Sequence, residues 1–296
     1  MQRALTAIAL LVLSGCANAP QLLMETSRQS VATEIKDHGL SFVVYSGQGD
    51  ISTVKNNSGL LSIVYRSLAS SIGVEPGTVK WSEIVFTRDE NYVPPRDKEA
   101  VVRWSVPLSK TGVLESIGRE QLFSTIPHEQ VHAIQSPFGE IPRWFSEGMA
   151  EWAGLKATKL VAPDLYVKRK EQLGAAMKSA TTPLALKSWG GVKPKPEAIL
   201  RQLTPEQKRR MASDPGYFPP GPFTFGPDDF ISDESNTLAR YAASLQVFEG
   251  VEQASSIEGM RAWFQSVRSL PSPKKTSDIV RLAKETTGVD ISGVID

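Results

Sequence analysis

The segment His128-Glu129-Gln130-Val131-His132 constrains this chain more than any other stretch of it. The chain holds 3 histidines, and two of them stand four residues apart here. That spacing acquires chemical meaning on a helix, where residues i and i+4 lie one above the other on one face. Two imidazoles so placed can grip one Zn²⁺. A glutamate beside the first can then reach, as general base, the water that a catalytic zinc keeps in its open position. The pattern predicts that the helical stretch over 113–135 carries the site, and that a third ligand lies downstream. The alternative is a solvated helix bearing two histidines by chance.

A third ligand is on offer fifteen residues after His132, in Pro142-Arg143-Trp144-Phe145-Ser146-Glu147-Gly148-Met149-Ala150-Glu151-Trp152. Apolar and acidic positions alternate at helical spacing, and Ser146 or Pro142 can open the helix. Glu147 would add a carboxylate oxygen, leaving a fourth position for water. Gly148 is expected to let the two helices approach closely. Glu151, one turn on, can accept the second ring N–H of a metal-bound histidine; otherwise it is an ordinary surface charge.

His-Glu-x-x-His followed by Trp-x-x-Glu-Gly-x-Ala-Glu resembles the gluzincin metallopeptidases, in particular the compact bacterial peptidase MA-like group. The resemblance covers roughly residues 80 to 296. It extends weakly into Leu238-Ala239-Arg240-Tyr241-Ala242-Ala243-Ser244-Leu245, Gly250 and Glu285-Thr286-Thr287-Gly288-Val289-Asp290. It implies metal ligation by His128, His132 and Glu147, one Zn²⁺ per chain, Glu129 as general base and Glu151 as the acid behind a histidine ligand. The substrate it implies is a peptide or protein. Two departures stand out: Pro127 directly precedes His128, and the spacer from His132 to Glu147 is shorter than in the best-known members. A first-turn position would accommodate Pro127, with the helix starting near Thr125 or Ile126.

The N-terminus carries a second signal. Met1-Gln2-Arg3 is a positive n-region, and Ala4 to Leu13 is an apolar run too short to span a bilayer. Leu13-Ser14-Gly15-Cys16 resembles a bacterial lipobox. It implies cleavage before Cys16, lipidation of that residue and membrane attachment through several acyl chains. Ala17 rather than Asp follows, so a Gram-negative host would be expected to place the protein on the outer membrane facing the periplasm. Cys16 is the single cysteine. If it is lipidated, the rest of the chain has no thiol for a disulfide, a zinc ligand or a nucleophile.

Charge excludes one class of partner. The chain carries 33 Lys+Arg and 32 Asp+Glu, and removing residues 1–15 takes away only Arg3, leaving 32 of each. Nothing in that balance points to nucleic acid. No second long apolar run and no internal repeat are present.

The elements predict an α+β fold, because strand-rich sequence precedes helix-rich sequence. Residues 16–37 read as a tether that becomes ordered. Strands are expected at Ser41–Ser46, Thr78–Thr87 and Ala100–Val106, after the Pro94-Pro95 turn, with a helix over 55–72. Residues 38–155 would form the lobe bearing both motifs, zincin-like by resemblance, with a small mixed sheet plus the motif helix. Residues 156–235 read as an insertion, with Pro215–Phe223 as a lid or a bland surface loop. Residues 236–296 would be a helical C-terminal lobe, with helices over 236–268 and 275–287. Ala100–Val106 is either a cleft wall that accepts a peptide as an added strand or an ordinary core strand.

The whole pattern reads as a lipid-anchored zinc-dependent peptidase of the cell envelope. The rival reading is a metal-binding, weakly active or inactive lipoprotein that serves as a scaffold. Peptide hydrolysis also needs a donor to the oxyanion. His38, the remaining histidine, lies far upstream in an expected turn. Tyr241, where a helix opens after the insertion, is the preferred donor or else a packed core residue; Tyr217 and Arg240 are fallbacks.

Overall fold

The computed structural model describes residues 31–47, 50–89, 102–180, 184–214, 217, 219–220, 223–232 and 236–295. Cys16, the leader before it, the Pro94-Pro95 turn and most of the Pro215–Phe223 loop lie outside the described residues. The fold is α+β, a four-stranded mixed sheet followed by helices.

β1 (Val31–Asp37) and β2 (Leu40–Ser46) form an antiparallel hairpin, in register from Val31 opposite Ser46 to Asp37 opposite Leu40. Its turn is His38-Gly39, both at positive φ (48° and 83°), which matches the right-handed twist of the flanking strands. The expected tether is thus shorter than predicted: residues 31–37 are already sheet. Alternate residues of β2, Leu40, Phe42 and Val44, face the core.

α1 (Ile51–Ile72) crosses over to β3 (Glu83–Thr87), which lies parallel to β2 and beside β4 (Arg103–Pro107), also parallel. α1 buries Val54, Leu61, Val64, Tyr65, Leu68 and Ile72, a stripe at three- and four-residue spacing. It ends on Gly73, whose N–H at φ 79° reaches Ala69 O. β3 is shorter than the expected Thr78–Thr87. Pro76 opens a 3₁₀ turn over Pro76–Thr78, and the Trp81 indole donates to Pro76 O. Trp81 then stacks on Tyr65 at 4.5 Å. β4 overlaps the expected Ala100–Val106 strand from Arg103 onward and pairs, among the described residues, only with β3.

α2 (Ser116–Glu120), a π turn at Gln121–Thr125 and α3 (Ile126–Gln135) follow one another without a break. Pro127 therefore does not mark a free helix start. A proline in mid-helix removes one N–H and crowds the carbonyl four residues back, here that of Phe123. The widened turn directly before it changes the bonding pattern at that point, and such turns are a recurrent means of altering a helix at functional sites.

A 3₁₀ turn at Ser136–Phe138 leads through Gly139 (φ 68°) to α4 (Arg143–Val161). The tight connection expected through Ser136-Pro137-Phe138-Gly139 is thus present. α4 starts after Pro142, and it runs across the expected boundary at residue 155. α5 (Pro163–Ser179) packs on the helical body, with Lys170 pairing with Glu249 at 2.8 Å, and the end of α4 does so through Lys156 and Glu252. Residues 184–232 are the decorated part. They carry β5 (Val192–Pro194), α6 (Pro196–Leu200), α7 (Pro205–Ser213) and β6 (Phe230–Ser232), which pairs antiparallel with β5.

α8 (Thr237–Ala254) and α9 (Ile257–Arg268) divide the expected 236–268 helix at Ser255-Ser256, where the Ser256 hydroxyl accepts from Gly259 N–H at 3.2 Å. α10 (Thr276–Thr287) and α11 (Ser292–Ile295) complete the chain. Trp144, Phe145, Trp152, Phe248, Trp263 and Phe264 are all buried and meet in one aromatic cluster that locks α4 to α8 and α9. Gly148 serves that packing: a Cβ there would stand 2.6 Å from the Phe248 ring. The expectation that Gly148 admits the motif helix is corrected. Gly154 does so, since its Cβ would lie 3.1 Å from His128 Cα and N.

Candidate metal centre

α3 and α4 together bring His128, His132 and Glu147 to one point. One donor atom from each lies within 4.8 Å of the others, and the cluster can hold a metal ion. The Nε2 atoms of His128 and His132 stand 3.3 and 3.4 Å from the same oxygen, Glu147 Oε2. That oxygen is buried and accepts no hydrogen bond of good geometry. A buried carboxylate oxygen facing two imidazole nitrogens at these separations is an arrangement a cation would complete.

The far side of each ring is also engaged. His132 Nδ1 lies 2.9 Å from Gln135 Oε1, which also accepts from the Ser146 hydroxyl at 2.8 Å. Gln135 Nε2 in turn donates to Ser146 O at 2.8 Å. The amide thus ties α3 to α4 and makes Nδ1 of His132 the donor, which turns the Nε2 lone pair toward Glu147. His128 Nδ1 lies 3.5 Å from Glu151 Oε1. Glu151 is 3% exposed and is clasped by Arg169 from α5. It is therefore no surface charge.

Charge balance follows from this packing. Burial pushes the Glu147 carboxyl up, but the two imidazoles outweigh it and hold the group well below the usual carboxylate range. Burial pushes His132 down, and Glu147 more than reverses that, leaving the imidazole raised. Burial and the Glu147 carboxylate both push the Tyr241 hydroxyl up, with Arg143 pulling the other way. Tyr241 therefore keeps its proton at neutral pH and can donate it.

Tyr241, on α8, has its ring 5.8 Å from that of His128. Glu129 is partly buried and opens onto a cleft of about 1140 Å³ between α3, α4, α5 and α8, which His128, Glu151, Gly154 and Tyr241 also line. The fallback donors lie elsewhere. Arg240 is buried and donates to Leu184 O at 2.8 Å, holding the segment that leads to Trp189. Tyr217 packs under the Arg210 guanidinium beyond α7. His38 sits in the exposed hairpin turn and pairs with Asp37. Five neighbours of the centre escaped the sequence reading: Gln135, Ser146, Arg169, Arg143 and Trp189. Gln135 and Arg143 had a local signal, offsets of three residues from His132 and four from Glu147 on the same helix face.

No protein-family model matches the chain, and no curated protein matches it. Among the described residues no helix is long and apolar enough to cross a membrane.

Proposed function

We propose that this chain is a zinc-dependent metallopeptidase, held at the cell envelope by a lipid on Cys16, with His128, His132 and Glu147 as the metal ligands. The observation that carries the reading is the pair of Nε2···Oε2 separations, 3.3 and 3.4 Å. Zinc bonds to nitrogen and oxygen of about 2.0–2.2 Å in a tetrahedron put ligand atoms roughly 3.3–3.5 Å apart. Two histidines and one glutamate are a donor set for zinc that leaves a position open. Bound there, zinc supplies a Lewis acid that polarises a carbonyl and acidifies water.

The chain's own groups then divide the proton work. Glu129 accepts the proton of the attacking water and returns it to the departing amine nitrogen. Tyr241, kept protonated, donates to the oxygen on which charge develops. Glu151, with Arg169 behind it, holds His128 in orientation, as Gln135 does His132. The cleft beside Glu129, about 1140 Å³, is large enough for several residues of a peptide.

Metal content tests the site, and Glu129 tests the chemistry. Wild type is expected to hold about one zinc per chain. His128→Ala and Glu147→Ala are expected to lose it, and Glu129→Gln to keep zinc while losing peptide hydrolysis. A protein without zinc after reconstitution would sink the reading. Zinc retained by wild type with no hydrolysis of any peptide would leave a metal-binding scaffold instead.

A further inference from the structure

The two ends of the cleft beside Glu129 are built differently. One wall is the continuous helix of α2, the π turn and α3, running back from Glu129 and His128 through Ser124 to Glu120. The facing wall is α5, and the floor is α4, where Gly154, Leu155 and Thr158 are buried. At the Glu120 end, α2 and α5 are tied together twice. Arg119 donates to both oxygens of Asp164, at 2.6 and 2.7 Å, and Lys168 donates to Glu120 at 2.6 Å. Arg119 and Glu120 are neighbours, and Asp164 and Lys168 stand one turn apart on α5, so the two pairs lie side by side. Exposed ion pairs are individually weak, but a bidentate arginine pair fixes orientation as well as distance. Glu120 and Lys168 both line the cleft, so their contact spans it. The adjacent Arg169 pairs instead with Glu151 on the floor. Leu165, at the same end, is buried in the core. It closes the depth of the cleft there, and the ion pairs close the layer above. At the opposite end the lining residues Ala175 and Ser179 of α5 and Leu238 of α8 are exposed.

We propose that this double clasp closes one end of the substrate cleft, so that the enzyme cuts peptides near a chain end. The inference rests on the peptidase reading and adds to it the class of substrate. Glu120 stands eight residues before His128, which is about 12 Å along a helix. An extended peptide advances about 3.3 Å per residue. About four substrate residues therefore fit between the metal and the clasp, on one side of the scissile bond, and the substrate must end there. On the other side the chain leaves past Ala175, Ser179 and Leu238. A longer polypeptide is thus trimmed from one terminus in short fragments, and a substrate with no terminus is refused.

Cleavage maps on the zinc-loaded protein test this. The probes are a set of linear peptides with free ends and the same sequences cyclised head to tail, with mass spectrometry identifying each bond cut. Wild type is expected to cut the linear peptides within about four residues of one end and to leave the cyclic forms intact. The triple variant Arg119→Ala, Glu120→Ala, Lys168→Ala should move cuts into the interior of the linear peptides. It should also raise the rate on the cyclic forms on the order of tenfold or more, the scale on which one steric element of a pocket discriminates substrates. Lys168→Glu sets two carboxylates face to face and should do the same with a single exposed change, should the triple variant fold poorly. Zinc content is expected to match wild type in both. Cyclic peptides cut by wild type as fast as linear ones, or linear cuts far from both ends, would overturn the proposal while leaving a peptidase. A cleavage map unchanged in both variants would overturn it too. If zinc is bound but no peptide of either form is cut, the peptidase reading fails and the proposal falls with it.

Discussion

Each histidine of the pair has two ring nitrogens, and both are committed. The Nε2 atoms face Glu147, while the Nδ1 atoms face Gln135 and Glu151. A ring held at one nitrogen presents the other in a fixed direction, so little rotamer freedom remains to be lost on metal binding. The Gln135 amide does this for His132 and also bonds the α4 backbone at Ser146. Gln135→Ala is therefore expected to weaken zinc binding by about 10–100-fold while the fold persists. Competition with a chelator of known affinity reads this. Unchanged affinity would show that the Ser146 hydroxyl, 3.3 Å from the same nitrogen, suffices to orient the ring.

Two glycines on α4 separate packing from ligation at the level of elements. Gly154 lies against the backbone of His128 on α3, and Gly148 against Phe248 and Ser244 on α8. A Cβ at Gly148 would meet the Phe248 ring at 2.6 Å, which forces movement, and one at Gly154 would stand 3.1 Å from the His128 backbone, which must yield slightly; overpacking a helix crossing costs roughly 1–3 kcal/mol. Their consequences for the centre differ. Gly154→Ala pushes on His128 itself and is expected to lower both the melting temperature and zinc affinity. Gly148→Ala strains the aromatic cluster and is expected to lower the melting temperature with zinc affinity nearly intact. Thermal melts paired with metal titration distinguish the two; equal loss of zinc in both would mean that the α4–α8 crossing also sets the Glu147 position.

For the molecule as a whole, the centre joins α3 to α4, and α4 to the aromatic cluster that holds α8 and α9. An ion bound only by the folded chain stabilises it by mass action, about 4 kcal/mol when zinc is at a thousand times its dissociation constant. Chelation is therefore expected to lower the melting temperature by several degrees, reversibly, and the shift should vanish in Glu147→Ala. A melting temperature indifferent to chelator in wild type would count against a preformed site.

What the sequence determined by itself is what short-range periodicity can carry. His128 and His132 share a helix face because four residues make about one turn. The order of strands before helices likewise settles the α+β class, since each element's period is local to it. The tertiary structure decided everything that depends on which surfaces meet. Pro127 inside a continuous helix needed the neighbouring π turn. Gly148 and Gly154 look alike along the chain, and only the helix crossings assign one to α8 and the other to α3. Arg169 and Trp189 come from elements whose distance from the motif in sequence says nothing of their distance in space. Residues 156–179 read as an insertion because their amphipathic faces name no partner; in the fold they pack on the helical body, where α8 supplies Glu249 and Glu252 to their lysines. Periodicity tells which face of an element is buried; only packing tells against what.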